Sequence, residues 1–369
     1  MTHTTLKHDI KTISESFEIY GDYIIAEPYG SGHINDTYRA SFNQGGTPVN
    51  YIFQRINHNI FKNPPALMEN IDRVTSHIFN KLKDCPDATR HTLVIIKSKD
   101  CKVYHQDADG NFWRVYVFIE KAKTYDVIEK EEQAYQAARA FGEFQRTLVD
   151  LPGARLHETI PDFHNTPKRF EALEKAIAAD AAGRVKLAGQ EIDFVLKRKG
   201  DASLLLNLSA QGAIPERITH NDTKLNNVML DDITGEGVCV IDLDTVMPGL
   251  VHYDFGDMVR TSTSPAAEDE KDLSKVKMQF NMFEALLRGY LTTAGAFLNP
   301  VELEHLPFAG KLITMEIGVR FLTDFLSGDV YFKVHREGHN LDRCRTQFTL
   351  VSSIEQQMDK MMQLLKTIK

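Results

Sequence analysis

The sequence predicts an α+β protein of two lobes, because strand-like segments fill the first third of the chain and helical segments dominate the rest. The chain has 369 residues and is 42% hydrophobic, which is enough for two domains and a large core. β-branched and aromatic residues dominate five short runs, at positions 24–25, 37–42, 51–56, 93–96 and 113–119. We therefore expect lobes at 1–121 and 122–369, divided just after the last run.

Apolar residues at intervals of three or four predict one helix in the first lobe and five in the second. The first-lobe helix is indicated by Leu67, Ile71, Val74, Ile78 and Leu82. In the second lobe we expect helices over 134–148, 169–182, 275–291, 311–326 and 351–365. Gly183 and Gly328 are placed to end two of them. A sheet with one helix, followed by a larger helical lobe, is typical of a protein-kinase-like fold.

Charge and cysteine content exclude several classes of protein. A formal net charge of −8 argues against nucleic-acid or anionic-membrane partners. The four cysteines show no C-x-x-C pair, so we expect neither a zinc site nor a disulfide framework. No stretch approaches the ~20 apolar residues of a membrane span, and the first residues lack the apolar segment of a signal peptide. We expect a cytoplasmic protein, either a monomer or a weak homo-oligomer.

The most informative segment reads H-x-D-x-K-x-x-N, with Asp222, Lys224 and Asn227 as its last three fixed positions. It is close to the H-R-D-x-x-x-x-N catalytic loop of protein kinases, in which Asp accepts the proton of the attacking hydroxyl and Asn holds Mg²⁺. Fifteen residues after Asn227, the apolar run 238–241 leads into Asp242. The pattern predicts a phosphotransferase with Asp222 as the base and with Asn227 and Asp242 as Mg²⁺ ligands.

Other polar residues nearby allow two interpretations each. Lys224 either neutralises the transferred phosphate or is an ordinary surface lysine, and Asp244 either contacts a second ion or the substrate side, or is simply solvated. His220 is expected to hold the loop through hydrogen bonds to the backbone. Asp254 begins a D-F-G sequence, the metal-binding signature of protein kinases, but it follows the turn at 248–249 rather than a strand. We therefore expect Asp254 to brace the loop.

A glycine-containing turn between the first two strand-like runs predicts a hairpin over the nucleotide phosphates, or merely a hairpin. Glycines allow backbone amides to approach an anion closely. His33, at the tip of this turn, is placed to reach a phosphate or a substrate hydroxyl. The residues expected to bind nucleotide are Gly30, Ser31, Gly32, Arg55, Phe118 and Ile119.

The lysine that kinases usually carry on their third strand is missing. Alternation in the run 51–56 puts Gln54 and Arg55 on opposite faces, and either residue is placed to replace the lysine. Glu69 is the only glutamate on the following helix that is available to pair with it.

Four segments resemble those of N-acetylhexosamine 1-kinases, members of the aminoglycoside phosphotransferase and choline kinase superfamily. They read EPYGSGHINDTY, HNDTKLNNVMLDD, VIDLDTVMPG and YDFGDMVR, and the similarity extends over nearly the whole chain. The resemblance implies ATP- and Mg²⁺-dependent phosphorylation of the anomeric hydroxyl of N-acetylglucosamine or N-acetylgalactosamine. It places the base at Asp222 and Mg²⁺ on Asn227 and Asp242. The sugar contacts that it implies, besides Asp222, are His33, Asp244, Arg320 and Tyr331.

Alternatives remain open for both residues and function. Arg320 lies within an apolar helical pattern and is also placed to pair with Asp324, one turn on, while Tyr331 fits the core equally well. A related small-molecule kinase would act on an aminoglycoside, choline or another sugar. An inactive pseudokinase is disfavoured because all three predicted site residues of the loop and strand are intact.

Overall fold

The computed structural model describes residues 6–30, 32 and 34–368, and it confirms an α+β fold with a β-rich N-terminal part and a helical C-terminal part. Six strands form an antiparallel sheet in the order β1-β2-β3-β6-β4, with β5 paired to β6. The strands are β1 (Asp22–Pro28), β2 (Asp36–Gln44), β3 (Thr47–Ile56), β4 (Ile95–Ile96), β5 (His105–Gln106) and β6 (Phe112–Val117). The predicted division at residue 121 falls after β6.

The two faces of this sheet have different partners, because successive side chains along a strand point to opposite sides. The outer face packs against the short helix α1 (Ile10–Ser14) and the segment that follows it. The inner face packs against the long helix α2 (Pro64–Leu82). Outer-face residues include Tyr51, Phe53, Arg55 and Trp113, and inner-face residues include Ile52, Gln54, Arg114 and Tyr116.

Helix α2 starts where the sequence provides a cap, and it joins the sheet to the C-terminal part. Asn63 accepts a hydrogen bond from the amide of Ala66 at 3.2 Å, and Pro64 occupies the first turn, where its missing N–H is not needed. Within the helix, Asn70 Nδ2 donates to the carbonyls of His157 (2.8 Å) and Val246 (3.1 Å). Both acceptors belong to the C-terminal part, so α2 is fixed to it by polar contacts as well as by its apolar face.

Two small antiparallel sheets and the remaining helices build the C-terminal part. One sheet has the strand order β10-β9-β7 and the other pairs β11 with β8. The strands are β7 (Ala122–Lys123), β8 (Arg217–Thr219), β9 (Val228–Asp231), β10 (Gly237–Val240) and β11 (Met247–Gly249). The helices are α3 (Glu131–Leu148), α4 (Thr166–Ala179), α5 (Gly189–Leu196), α6 (Leu204–Ala210), α7 (Val251–Ser262), α8 (Phe280–Ala294), α9 (Pro300–Glu304), α10 (Leu306–Leu326) and α11 (His339–Ile368).

The helix at the centre of this part, α7, was not predicted. It contains the D-F-G sequence and is buried along most of its length. Gly256 allows it to lie directly on α10, because a Cβ atom there would be 2.5 Å from the carbonyl oxygen of Ala309. None of the helices in the described part of the chain has the length and hydropathy needed to cross a bilayer.

Two predicted helix ends are wrong for local reasons. α4 ends before Asp180, which itself adopts a left-handed conformation with φ +38°, three residues before the expected stop at Gly183. α8 begins at Phe280 rather than at 275, because Asp272 caps a separate short turn, Leu273–Lys275, by accepting from the amide of Ser274 at 3.2 Å.

A buried ion pair joins the inner face of the sheet to the C-terminal part. Arg114 on β6 contacts Asp244, and their side chains are only 1% and 4% exposed. Arg114 Nε also donates to Gln54 Oε1 at 3.0 Å, and Asn35 Nδ2 donates to the second carboxylate oxygen of Asp244 at 2.7 Å. Burial alone would lower the pKa of Arg114, but the charge of Asp244 outweighs it and raises that pKa. Both charges are therefore compensated inside the protein.

We expect Arg114→Met to lower the free energy of unfolding by about 3–5 kcal/mol, because it leaves the Asp244 carboxylate buried without its counter-ion. Urea denaturation measures the change, and adding Asp244→Asn should restore part of it. Arg55→Met is the matched control on the outer face, where Arg55 Nε pairs with the partly exposed Asp36 at 2.5 Å. It should cost about 1 kcal/mol or less. Equal losses in the two single variants would contradict this account.

Candidate active site

The loop formed by residues 220–227, between β8 and β9, is held in place by one buried carboxylate on α7. Asp254 on α7 accepts hydrogen bonds from the backbone amides of His220 (2.9 Å) and Asn221 (2.7 Å). It also accepts from Gln145 Nε2 at 2.6 Å. Burial raises the pKa of Asp254, against the lowering effect of His220 and of these hydrogen bonds. The expected bracing contact is present, and the D-F-G aspartate acts on the backbone of the loop.

Asn221 turns the chain so that the next residue is presented away from the brace. It has a left-handed conformation with φ +66°, which asparagine tolerates better than most residues. Its side chain accepts from Thr219 Oγ1 at 3.0 Å and donates to the carbonyl of Thr245 at 2.9 Å. The turn is therefore fixed by hydrogen bonds on both sides.

His220 links this loop to the segment that carries the next acidic residues. Its Nδ1 accepts from the amide of Asp222 at 3.3 Å, so its Nε2 carries the hydrogen that is donated to the carbonyl of Ile241 at 2.9 Å. The ring also packs edge-on against Phe141 and Phe144. These are the backbone contacts expected of a structural histidine.

The structure brings Asp222, Lys224 and Asn227 together. Lys224 Nζ lies 3.1 Å from Asp222 Oδ2, and Asn227 Nδ2 donates to the same oxygen at 3.1 Å and to the Asp222 carbonyl at 2.7 Å. Burial would raise the pKa of Asp222, but the positive charge of Lys224 and its hydrogen bond outweigh it and lower that pKa. Asp222 is thus an ionised carboxylate with the chemistry needed to accept a proton from a hydroxyl.

Asp242 completes a concentration of negative charge beside this loop. It follows β10 in a left-handed conformation (φ +58°), and its carboxylate forms no hydrogen bond or ion pair with the described residues. Asp242 is exposed, but the protein that surrounds it reduces the solvation of its carboxylate, and this effect, followed by the charges of Asp244 and Asp222, raises the pKa of Asp242 to about 6. An uncompensated carboxylate in such a place is a ready ligand for a hard cation.

Asp244 has partners within the protein, and the substrate contact predicted for it stays a prediction. One of its oxygens contacts Arg114, the other accepts from Asn35, and the residue is buried. Its observed contacts position the short turn Leu243–Thr245 that follows Asp242.

The nucleotide contact expected of Arg55 stays a prediction, and the structure pairs this side chain with Asp36. Arg55 lies on the outer face of the sheet, and Glu69 is engaged with His157 at 2.9 Å, so the two residues do not pair. The cation on the inner face is Arg114, which the sequence reasoning missed. The sequence feature that could have identified Arg114 is its position as a single arginine within the apolar run 112–117, because a charge in such a run requires a buried partner.

The described glycines of the phosphate-covering turn lie between β1 and β2, as predicted. Gly30 has φ +79°, while Ser31 and His33 lie outside the described residues. Next to Gly30, at the end of β1, the ring of Tyr29 meets that of Phe118 with centroids 5.6 Å apart. Ile119 is 5% exposed and packs in the core, so only its main chain is left for contact with a nucleotide.

Arg320 and Tyr331 meet in an aromatic cluster at the end of α10. The Arg320 guanidinium lies 5.6, 5.9 and 5.5 Å from the ring centroids of Phe163, Tyr331 and Phe332. The ion pair with Asp324 is absent, because the Asp324 carboxylate instead accepts from the backbone amides of residues 330–332. Tyr331 is 66% exposed, which rules out a place in the core.

His164 connects this cluster to the 220–227 loop. The sequence did not predict it, because it lies in a loop without a recognisable motif. Its ring contacts that of Phe163, and Nε2 donates to the carbonyl of Asn221 at 3.2 Å. Its Nδ1 donates to Glu316 Oε1 at 2.8 Å. Burial would lower the pKa of His164, but the charge of Glu316 outweighs it and raises that pKa, which favours the doubly protonated ring.

A β-rich N-terminal part, a helical C-terminal part and an ionised aspartate on a braced loop between them define a kinase-like phosphotransferase. A family model described as the phosphotransferase enzyme family, of the APH type, matches residues 25–290. The chain belongs to this family, whose members transfer phosphate groups.

Solved structures of low identity share the fold. An aminoglycoside phosphotransferase from Alicyclobacillus acidocaldarius has a TM-score of 0.65 at 10% identity, covering 99% of each chain. A spectinomycin phosphotransferase in complex with ADP and spectinomycin has a TM-score of 0.56 at 13% identity, covering 95% of this chain and 97% of the other. A choline kinase from Cryptosporidium parvum has a TM-score of 0.55 at 15% identity, covering 97% and 98%.

We expect Asp254→Ala to lower the free energy of unfolding by about 3 kcal/mol or more, because hydrogen bonds to a charged acceptor contribute about 1.5–3 kcal/mol each. Asp222→Ala is the matched control: it removes a partly exposed carboxylate that is paired with Lys224, and it should lower the free energy of unfolding by about 1 kcal/mol or less. Chemical denaturation distinguishes the two variants. An Asp254→Ala protein as stable as the parent would show that the brace is not needed.

Proposed function

We propose that the protein transfers the γ-phosphate of ATP to the anomeric hydroxyl of N-acetylglucosamine or N-acetylgalactosamine. The observation that carries this proposal is the ionised Asp222, hydrogen-bonded by Asn227, paired with Lys224 and close enough to the unpaired carboxylate of Asp242 to raise its pKa. The resemblance of the loop and turn segments to N-acetylhexosamine 1-kinases supplies the acceptor.

Asp222 would orient the acceptor hydroxyl and take its proton. The transition state of phosphoryl transfer is loose, so positioning and charge neutralisation supply most of the rate. Lys224 already lies against Asp222 Oδ2, which places a positive charge close to the point where the phosphoryl group would arrive. The brace at Asp254 fixes both residues relative to the helical part.

The available oxygens fit Mg²⁺. The carboxylate of Asp242 has no partner among the described residues, and Asn227 uses its amide nitrogen for Asp222, which leaves its Oδ1 free. No group of three or more His, Cys, Asp and Glu side chains in the described part of the chain could hold a metal alone. Mg²⁺ commonly takes only one or two protein ligands, with water and phosphate oxygens completing the shell. When bound, it would neutralise charge on the nucleotide phosphates.

The cluster at the end of α10 favours a neutral or anionic acceptor over a cationic one. Arg320 has no carboxylate partner among the described residues, and a guanidinium in that state repels the amines of an aminoglycoside or the ammonium group of choline. Tyr331 and Phe163 add aromatic faces beside it. Sugar hydroxyls and an acetamido carbonyl match this combination of donor and ring.

ADP release measured with N-acetylhexosamines, glucose, choline and kanamycin tests the acceptor class. We expect N-acetylhexosamines to give the highest kcat/KM, and the phosphorus NMR spectrum of the product to place the phosphate at C1. Preferred turnover of choline or kanamycin would refute the proposal, as would phosphate at another position.

We expect Asp222→Asn to lower turnover by about 10²–10⁴-fold, because the amide no longer accepts the hydroxyl proton. Calorimetric titration should show ATP affinity close to that of the parent. Asp109→Asn, which makes the same change in an exposed turn, serves as the control and should keep full turnover. Unchanged turnover in Asp222→Asn would exclude this residue as the base.

The concentration of Mg²⁺ needed for half-maximal activity should rise as pH falls below about 6. The raised pKa of Asp242, about 6, means that its carboxyl is ionised above this pH and protonated below it. The proton then competes with the metal, and the apparent affinity should fall by up to about tenfold per pH unit. Activity against Mg²⁺ concentration, corrected for protonation of the nucleotide, measures this at pH 5–8.

At saturating Mg²⁺ the turnover should change less over the same range, because the pKa of Asp222 is lowered, chiefly by Lys224, and this base stays ionised. A loss of turnover at saturating metal, with no change in the half-saturating concentration, would contradict the assignment of Asp242 as a ligand.

A further inference from the structure

We propose that Arg169 and Arg320 form an anion-binding part of the acceptor site, and that the protein therefore prefers acceptor sugars that carry a carboxylate. This inference rests on the proposed function and narrows its substrate class. The two guanidinium groups come from different helices, α4 and α10, and both contact Phe163: Arg169 donates to its carbonyl, and Arg320 lies over its ring.

Arg169 is held in place but is not neutralised. Its Nη2 donates to the carbonyls of Asp162 (3.0 Å) and Phe163 (2.8 Å), which fixes the guanidinium without offering it a negative charge. Its Nε is buried and has no hydrogen-bond partner among the described residues. A buried donor without a partner costs about 1–3 kcal/mol, so a ligand oxygen placed there would gain that amount back.

Arg320 is likewise without a counter-ion. Its contacts are the three aromatic rings, and no hydrogen bond or ion pair is formed by its side chain within the described residues. Aromatic faces attract the cation but leave its N–H groups, which lie around the edge of the plane, free to donate. Guanidinium groups in this condition are suited to donate hydrogen bonds to a carboxylate.

The acidic residue between them does not cancel their charge. Glu316 precedes Arg320 by one helical turn, but its two oxygens accept from His164 Nδ1 (2.8 Å) and Thr166 Oγ1 (2.6 Å). Because both ring nitrogens of His164 donate, the histidine carries a positive charge that balances Glu316. The charge of Asp162 is largely taken by exposed Lys168 at 2.6 Å, which leaves the charges of the two arginines uncompensated.

The position of this pair relative to Asp222 suits an acceptor sugar. From Arg320 the contacts run through the ring of Phe163 to His164, and from His164 to the backbone of Asn221, next to the base. A ligand whose hydroxyl is at Asp222 would therefore direct its opposite end towards the arginines. A carboxylate at that end would replace an unfavourable repulsion between two cations with two charge-assisted hydrogen bonds.

Calorimetric titration with a matched pair of sugars tests the proposal. The pair is N-acetylglucosamine and its C6 carboxylate, 2-acetamido-2-deoxyglucuronic acid, which differ only at C6. We expect the acid to bind at least tenfold more tightly at low salt and to lose most of this advantage at high salt. In Arg169→Gln the affinity for the acid should fall about tenfold or more, while that for the neutral sugar changes less than about threefold.

Lys175→Gln is the matched control, because it removes the same charge from an exposed position on the same helix, α4. It should leave the ratio of the two affinities unchanged. Arg320→Gln is a second test that removes no hydrogen bond or ion pair from the protein, and it should lower the ratio as Arg169→Gln does. Folding of each variant is checked by its thermal unfolding midpoint.

Three outcomes would overturn the anion-binding subsite. The parent protein could bind the two sugars equally, it could bind neither, or the ratio of the two affinities could be the same in both arginine variants as in the parent. The titration does not depend on catalysis. Preferential binding of the acid, without phosphorylation of either sugar at C1, would refute the proposed function and leave the subsite standing.

Discussion

The geometry of the site depends on one buried carboxylate, that of Asp254. Its two oxygens accept the amides of His220 and Asn221, so the direction of α7 sets the direction of the loop. α7 in turn has little freedom, because Gly256 brings it into contact with the backbone of α10. A base that acts mainly by positioning a hydroxyl needs a rigid support of this kind. The helical core thus determines where Asp222 points.

The charged groups of the molecule fall into two kinds. Some are fully compensated, such as Arg114 with Asp244 or Glu316 with His164, and these hold the framework together. Other charged groups have no opposite charge in contact among the described residues. They are the carboxylate of Asp242, beside the loop, and the guanidinium groups near the end of α10. Unpaired charges cost stability in a folded protein and are retained where a ligand completes them. In the proposed function, Asp242 would lie on the side of the metal and phosphates, and the arginines on the side of the acceptor.

Regular periodicity made much of the fold predictable. α2, α3 and α10 have apolar residues at helical spacing on one side, and the H-x-D-x-K-x-x-N spacing brought Asp222, Lys224 and Asn227 together as expected. α7 escaped detection because it is buried on nearly all sides and so lacks a distinct polar face.

Contacts between distant segments could not be predicted in the same way. The partnership of Arg114 with Asp244 depends on the register of β6 against β3 and on how the C-terminal part docks, and neither is encoded in local spacing. Because this pair sits at the junction of the sheet and the helical part, separating it would expose two charges in a poorly solvated place at a cost of several kcal/mol. The pair therefore ties β6 to the turn after Asp242 and opposes any separation of the sheet from the helical part at this point.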